Sequence, residues 1–317
     1  MLYAVLADIH ANYPALLAVA EDARKVAQAE GTALGYVCLG DVVDYGPQPN
    51  ECVRWVQQNR ALLIAGNHDE DTAAPREQAP LSIAPDLWPI TRWTQRVLGR
   101  EATAVMRAWP RRLTQPEGLA AFTLFHGTLT AYAPFGRLEN PREAEESFQQ
   151  LTSPYGLFGH THYQGYFEED GTGAVKTYLV CPTGVRPQSA EAWKAFHDLG
   201  VWRPLPFGRA FFNPGSVGQP RRYPTLSLTS DNHDRRACYL LLRKAGPREW
   251  QFQFRRVSYA VADTIAQLRT LTWPEGPPAP EAAYAGPARR QLQAAETAEA
   301  LHAVVERRLI PTLLYGG

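Results

Sequence analysis

The sequence predicts an α/β fold in which a mostly parallel sheet from the first half packs against a more antiparallel sheet from the second, with helices outside. Three observations carry this. Short apolar runs near the N-terminus alternate with helix-like stretches. Each of those runs ends in a polar loop rich in carboxylate, amide and imidazole groups. Beyond Arg111 the pattern changes to strands joined by turn sequences.

Leu2 to Ala7 lacks clear alternation, as a strand buried on both faces should, and runs into Asp8-Ile9-His10. Asn12 to Ala29 reads as a helix, with Leu16, Leu17, Val19, Ala20, Ala23 and Val26 near a helical period and Pro14 in the first turn. Tyr36-Val37-Cys38-Leu39 repeats the strand, Gly40-Asp41-Val42-Val43-Asp44-Tyr45-Gly46-Pro47 the loop, and Asn50 to Asn59 the helix. Leu62 to Ala65 is the third strand. It ends in Gly66-Asn67-His68-Asp69, where the glycine is read as a sharp turn and the acid as an orienting group for the loop. Polar groups at the carboxyl ends of successive strands place a site along that edge.

Thr72 to Pro89 is proline-rich and reads as a surface excursion, a candidate lid, and Ile90 to Trp109 as a helix. Arg111 to Thr114 and Leu119 to Phe125 flank Gln115-Pro116-Glu117-Gly118, a hairpin signal, and lead into His126. Pro141 to Leu151 is a short helix, and Tyr155 to Phe158 a strand ending in Gly159-His160-Thr161-His162. Two more strands surround the turn at Glu168 to Gly173. Pro182 to Gly208 is an insertion read as a loop with a short helix. Phe211-Phe212 then leads into Asn213-Pro214-Gly215-Ser216-Val217-Gly218-Gln219-Pro220-Arg221, with Ser216 a plain loop hydroxyl. Strands at Ala237 to Leu242 and Trp250 to Val257 precede a helix near Val261 to Leu271, a proline-rich linker from Pro274 to Pro287, and an amphipathic helix through Leu292, Ala295, Leu301, Val305 and Leu309.

At 317 residues the chain is long enough for a sizeable core. We expect one domain over 1–257, with the insertion at about 182–208, and a helical extension over 258–317 packed on it. Lys plus Arg equals Asp plus Glu at 32 each, which gives no reason to expect a nucleic-acid or anionic-membrane surface. Cys38, Cys52, Cys181 and Cys238 are widely spaced and read as buried thiols, not as a disulfide or thiolate-metal framework. No apolar run is long enough to span a bilayer, and Met1 to Leu6 lacks the basic start of a signal peptide, so the expected location is cytoplasmic.

The strand-end groups are Asp8, His10, Asp41, Asn67, His126, His160 and His162. Carboxylate, amide and imidazole without thiolate suit hard or borderline ions such as Mn²⁺, Fe²⁺ or Zn²⁺. Seven ligands exceed one tetrahedral ion. Two ions sharing a carboxylate would each have a four-ligand shell and together would activate water and clamp a phosphoryl group. His68 is the candidate proton donor to the leaving oxygen. His197, His233 and His302 lie outside these motifs and read as surface or packing residues.

In order and spacing, Asp8-Ile9-His10, Gly40-Asp41-Val42-Val43-Asp44, Gly66-Asn67-His68-Asp69, His126 and Gly159-His160-Thr161-His162 resemble the calcineurin-like metallophosphoesterase superfamily. Asn213 to Gly218 and the overall length look like its small bacterial phosphodiesterase-type branch. The resemblance implies a four-layer αββα sandwich of two mixed sheets flanked by helices, and two divalent metal ions. Asp8, His10 and His162 would hold the first, and Asn67, His126 and His160 the second. Asp41 would bridge them, His68 would be the general acid, and Asp44 would match the carboxylate that orients it. The related protein Ser/Thr phosphatases read Gly-Asp-x-Val-Asp-Arg-Gly, with the arginine on phosphate; here Tyr45 follows Asp44. Loss of that arginine leans toward diesters, since a monoester dianion carries more charge to neutralise. Asn67, Tyr45, Arg221 and Arg222 are the candidate substrate contacts, with Arg235 and Arg236 as further replacements for the missing cation. The expected partner is a small phosphoester. The alternatives are a phosphomonoesterase or protein phosphatase and, in another class, a non-catalytic metal-binding scaffold such as the resembling retromer subunit.

Overall fold

Side chains of the first strand, β1 (Leu2–Leu6), divide between two apolar layers, as its period of two requires. Leu2, Ala4 and Leu6 join helices on one side, while Val5 meets a second sheet on the other. The computed structural model describes residues 1–74, 84–131, 133–181, 193–221, 234–246, 249–274 and 294–315.

The strands that follow are β2 (Leu34–Cys38), β3 (Leu62–Leu63), β4 (Arg112–Thr114), β5 (Phe122–Phe125), β6 (Tyr155–Leu157), β7 (Gly165–Glu169) and β8 (Val175–Val180). Next come β9 (Trp193–Phe196), β10 (Arg203–Pro204), β11 (Arg209–Asn213), β12 (Ala237–Lys244) and β13 (Trp250–Val257). One sheet has the order β10-β13-β12-β1-β2-β3 and the other β4-β5-β6-β11-β7-β8-β9. Within the first, β1, β2 and β3 run parallel; within the second, β5, β6 and β11 do. The remaining pairs are antiparallel except β8 with β9.

Helices complete four layers. On the outer face of the first sheet lie α1 (Tyr13–Ala29), α2 (Pro49–Gln58) and α4 (Trp88–Met106), packed through Leu16, Val19, Val53, Trp55 and Met106. Between the sheets Val5, Val37 and Phe254 of the first meet Leu124 and Phe212 of the second. On the outer face of the second sheet α5 (Pro141–Phe148) stacks Phe148 on Phe211, with ring centroids 4.0 Å apart. Such an aromatic pair adds about 0.5–1.5 kcal/mol beyond the area it buries. A fourth cluster joins Ile90 and Trp93 of α4 to α6 (Val261–Arg269) and to the C-terminal run of α7 (Ala298–Val304), a π-turn at Val305–Leu309 and α8 (Ile310–Tyr315). Among the described residues no helix is long and apolar enough to cross a membrane. All four cysteines are buried free thiols.

Some elements differ from expectation. The described part of the insertion holds β9 and β10 and no helix: β9 extends the second sheet through β8, and β10 the first through β13. Short mixed-polarity segments become strands when a neighbouring edge supplies their hydrogen bonds, which local propensity does not register. Residues 182–192 lie outside the described residues, as do 75–83 of the proline-rich excursion, 275–287 of the expected linker, Leu292 and His233. The remainder of the excursion is structured: Thr72 and Ala73 end α3 (Asn67–Ala73), and Pro85–Leu87 form a 3-10 turn. The following helix begins at Trp88 and bends at Gly99, whose φ is 69°.

Candidate active site

The parallel trios explain why distant motifs meet. Asp8 and His10 follow β1, Asp41, Asp44 and Tyr45 follow β2, and Asn67 and His68 open α3 directly after β3. His126 follows β5, His160 and His162 follow β6, and the turn around Ser216 follows β11. All these loops leave the same edge of their sheet.

Seven of these side chains are carried on left-handed backbone: Asp8, His10, Asp41, Asp44, Tyr45, His160 and His162 have φ between 47° and 71°. Each such non-glycine residue costs of order 1–3 kcal/mol, so the surroundings must enforce it. They do so by crossing hydrogen bonds. Asp8 N–H donates to Gly40 O and His10 N–H to Asp41 O, while Gly218 N–H donates to Asp8 O. Asp69 braces the loop from below, its carboxylate accepting from the N–H groups of Val42, Val43 and Gly66 at 2.9, 3.2 and 3.0 Å. Ser216 Oγ donates to Asp8 O at 2.7 Å and accepts from Gln219 N–H, the structural role expected of it. Gly66 serves a different purpose from the turn read in the sequence. Its φ is −95°, open to any residue, but a Cβ there would stand 2.1 Å from Asp41 Oδ1.

Five buried groups and the half-buried His160 form two triads: Asp8, His10 and His162, and Asp41, His126 and His160. Within each, the potential ligand atoms lie within 4.8 Å of one another. His10 Nδ1 faces Val43 O at 3.3 Å and His162 Nδ1 faces Gln219 O at 2.7 Å, so each ring donates from Nδ1. Both Nε2 atoms then carry lone pairs, and these are 3.2 Å apart. His126 repeats the device: Nδ1 meets Leu39 O at 2.6 Å, and Nε2 lies 3.0 Å from Asp41 Oδ2 without a proper hydrogen bond. Asp41 Oδ2 is also 3.9 Å from His10 Nε2, which puts this carboxylate between the triads. Asn67 is buried, and its Oδ1 has no hydrogen-bond partner. Facing lone pairs and an orphaned amide oxygen in a buried site are what divalent ions would satisfy. The residues fit the ions.

The imidazoles divide electrostatically: burial would lower His126, but the Asp41 carboxylate beside it raises its pKa to about 9. Burial lowers His10, His160 and His162 well below ordinary histidine, leaving them neutral as ligands must be. Burial would raise Asp41, yet the His126 and His68 charges beside it hold it well below the carboxylate range. Asp8 and Asp69 go the other way, to about 7, through burial and the neighbouring Asp41 anion.

Beside the triads, His68 Nδ1 is 2.8 Å from Asp44 Oδ2, and Nε2 is 3.0 Å from Tyr45 Oη. Burial opposes the imidazolium, but Asp41 and Asp44 outweigh it and raise the His68 pKa. Asp44 Oδ2 also accepts from Thr91 Oγ1 at 2.7 Å. Thr91 belongs to no motif and sits in the first turn of a helix, so only the tertiary structure reveals it. Arg221 is half-buried, and its charge reaches Asp8, His10, His162 and Tyr45. Arg222 lies outside the described residues. Arg235 and Arg236 are tied elsewhere, to Leu314 O and to Asp234, which removes them as replacements for the missing cation.

The chain is 41% identical over 68 residues to the uncharacterized protein MJ0912 of Methanocaldococcus jannaschii; the match spans 22% of this chain and 26% of that protein's length. Its fold is similar to a metallophosphoesterase from Sphaerobacter thermophilus, at 27% identity and a TM-score of 0.60, covering 93% of this chain and 100% of that one. It is also similar to the hypothetical protein PH1004 from Pyrococcus horikoshii OT3, at 19% identity and a TM-score of 0.59, covering 86% and 94% of the two chains. The family model for calcineurin-like phosphoesterases matches residues 1–164. The chain therefore belongs to the calcineurin-like phosphoesterase family.

Proposed function

We propose that this protein is a metal-dependent phosphoesterase that hydrolyses phosphodiesters, with His68 as its general acid. The observation that carries the reading is the pair of facing Nε2 lone pairs at His10 and His162, next to a second triad that Asp41 joins to the first. Asp8, His10 and His162 would hold one ion, Asn67, His126 and His160 the other, with Asp41 shared. Divalent ions held there supply Lewis acidity toward a phosphoryl oxygen and make water a nucleophile near neutral pH.

The chain's own residues supply the rest. Asp44 holds His68 Nδ1, so the proton for a departing alkoxide comes from Nε2. Thr91 and the Tyr45 N–H fix that carboxylate in turn. Arg221 is the cation available to a substrate phosphate, and among the described residues it carries no ion pair of its own. One guanidinium suits a diester monoanion better than a monoester dianion, and Tyr45 fills the place of the arginine found in the protein phosphatases.

The test is turnover of bis-(p-nitrophenyl) phosphate, p-nitrophenyl phosphate and a phosphopeptide by protein loaded with Mn²⁺, Fe²⁺, Zn²⁺, Co²⁺ or Ni²⁺. Faster diester turnover supports the reading. A preference for either monoester moves the assignment to a phosphomonoesterase or protein phosphatase, and no turnover above background leaves the non-catalytic scaffold. His68→Ala should slow a substrate with a poor leaving group by about 10²–10⁴-fold while sparing p-nitrophenolate release.

A further inference from the structure

The geometry points to Tyr45 as the group that meets the leaving oxygen: its hydroxyl passes its own hydrogen to the departing alkoxide and takes the proton of His68 Nε2 in return. This rests on the phosphoesterase reading above. His68 is held at both nitrogens, by Asp44 at Nδ1 and by Tyr45 Oη at Nε2. The nitrogen left for substrate is thus already covered by an oxygen.

That oxygen does not move aside cheaply. The Tyr45 ring packs against both His10 and His68, with centroids 4.7 and 4.4 Å away. The residue is 6% exposed, and its ring belongs to the apolar cluster formed by Ile90, Trp93 and the C-terminal helices. Its backbone is left-handed, with φ 68°, and its N–H donates to Asp44 Oδ1 at 2.9 Å. Ring, backbone and carboxylate therefore hold the hydroxyl over Nε2.

A phenol has one hydrogen to give and lone pairs to accept with. When His68 Nε2–H donates to Oη, the tyrosine's own hydrogen is free, because His68 is the hydrogen-bond partner of that hydroxyl among the described residues. A phenol, with an ordinary pKa of about 10, carries its hydrogen at neutral pH. The transfer balances: as the P–O bond breaks, the Tyr45 O–H bond breaks and the alcohol O–H forms. At the same time the His68 Nε2–H bond breaks and the Tyr45 O–H is restored. His68 ends neutral, Tyr45 is unchanged, and solvent reprotonates the ring.

The experiment is a proton inventory of the metal-loaded wild-type protein in H₂O/D₂O mixtures, with methyl phenyl phosphate as the poor-leaving-group diester and methyl p-nitrophenyl phosphate beside it. A curved inventory on the phenyl ester, showing two protons in flight, is expected. Tyr45→Phe should then slow the phenyl ester by about 10²-fold with KM unchanged and leave the p-nitrophenyl ester within about threefold. The double variant Tyr45→Phe/His68→Asn should be no slower than His68→Asn alone, as members of one unit are non-additive. A linear inventory, or full phenyl-ester turnover by Tyr45→Phe, overturns the relay and leaves the phosphoesterase reading intact. A wild-type protein inactive on both esters overturns both. Should Tyr45→Phe lose both substrates alike, the wild-type inventory decides, since it needs no variant.

Discussion

His10 Nε2 and His162 Nε2 stand 3.2 Å apart, and each ring has turned its Nδ1 to a main-chain carbonyl. Burial keeps both imidazoles neutral, so two lone pairs converge with no proton between them. A cation relieves this. We expect two equivalents of Mn²⁺ or Zn²⁺ per chain by elemental analysis, and one in His162→Ala. Metal at a hundred times its Kd should stabilise the fold by about 2.7 kcal/mol, visible as a rise in Tm. Two equivalents retained by His162→Ala would count against the assignment.

Asp44 is expected to set the alkaline limit of activity. Burial disfavours the His68 cation, whereas Asp41 and Asp44 raise its pKa, and the acid works only while it holds its proton. Activity is lost as pH rises through that pKa. Asp44→Asn removes one of the anions, lowers the pKa, and should move the alkaline limb of the kcat profile to lower pH. An unmoved limb would argue against the pair.

Gly66 has no room for a methyl group against Asp41, nor Gly40 against Gly66. An added Cβ on Gly66 would lie 2.1 Å from Asp41 Oδ1 and 2.5 Å from Asp41 N, and one on Gly40 would lie 2.4 Å from Gly66 N. Gly66→Ala should destabilise by about 1–3 kcal/mol as an overpacked site, and weaken metal binding because the displaced group is the shared carboxylate. Gly171→Ala, where nothing lies within 4 Å, is the control and should stay within about 0.5 kcal/mol. Urea unfolding and metal titration of the two variants read the difference.

Away from the site, Asp22 of α1 accepts from Arg255 Nε and Nη2 at 2.6 and 3.0 Å and from Tyr239 Oη at 2.5 Å, tying the helix to β12 and β13. Burial raises its pKa, but these donors outweigh burial and lower it. A depressed carboxylate contributes stability that is present above its unfolded pKa of about 3.9 and is lost as pH falls through the folded value. Asp22→Asn should therefore cost about 1.5–3 kcal/mol at pH 7. The gap from wild type should close in acid. A constant gap across that range in urea unfolding would refute the ion-paired role.

Much of the candidate site was legible because its candidate ligands lie in short runs at strand ends. Asp8-Ile9-His10 and His160-Thr161-His162 are local patterns, and a parallel sheet brings such ends together whatever the loops do. The orienting role of Asp69 was legible for the same reason, since its partners Gly66, Val42 and Val43 belong to adjacent motifs. Thr91 was not, because a threonine early in a helix has nothing local to mark a bond to a carboxylate 47 positions away. Nor were β9 and β10, whose strand character comes from the edges of β8 and β13.

From its sequence alone this chain determined which donor atoms it owns, their order, and their placement at one edge of an α/β fold, because strand-loop-helix periodicity is written locally. Which of those atoms confront each other follows from how the two sheets pack. His10 and His162 are 152 positions apart, and their lone pairs meet because left-handed backbone and carbonyl partners aim both rings. Tyr45 covers the proton-bearing side of His68 for the same reason: the direction of a side chain is set by the packing and hydrogen bonds around it, and those arise only when the two sheets close.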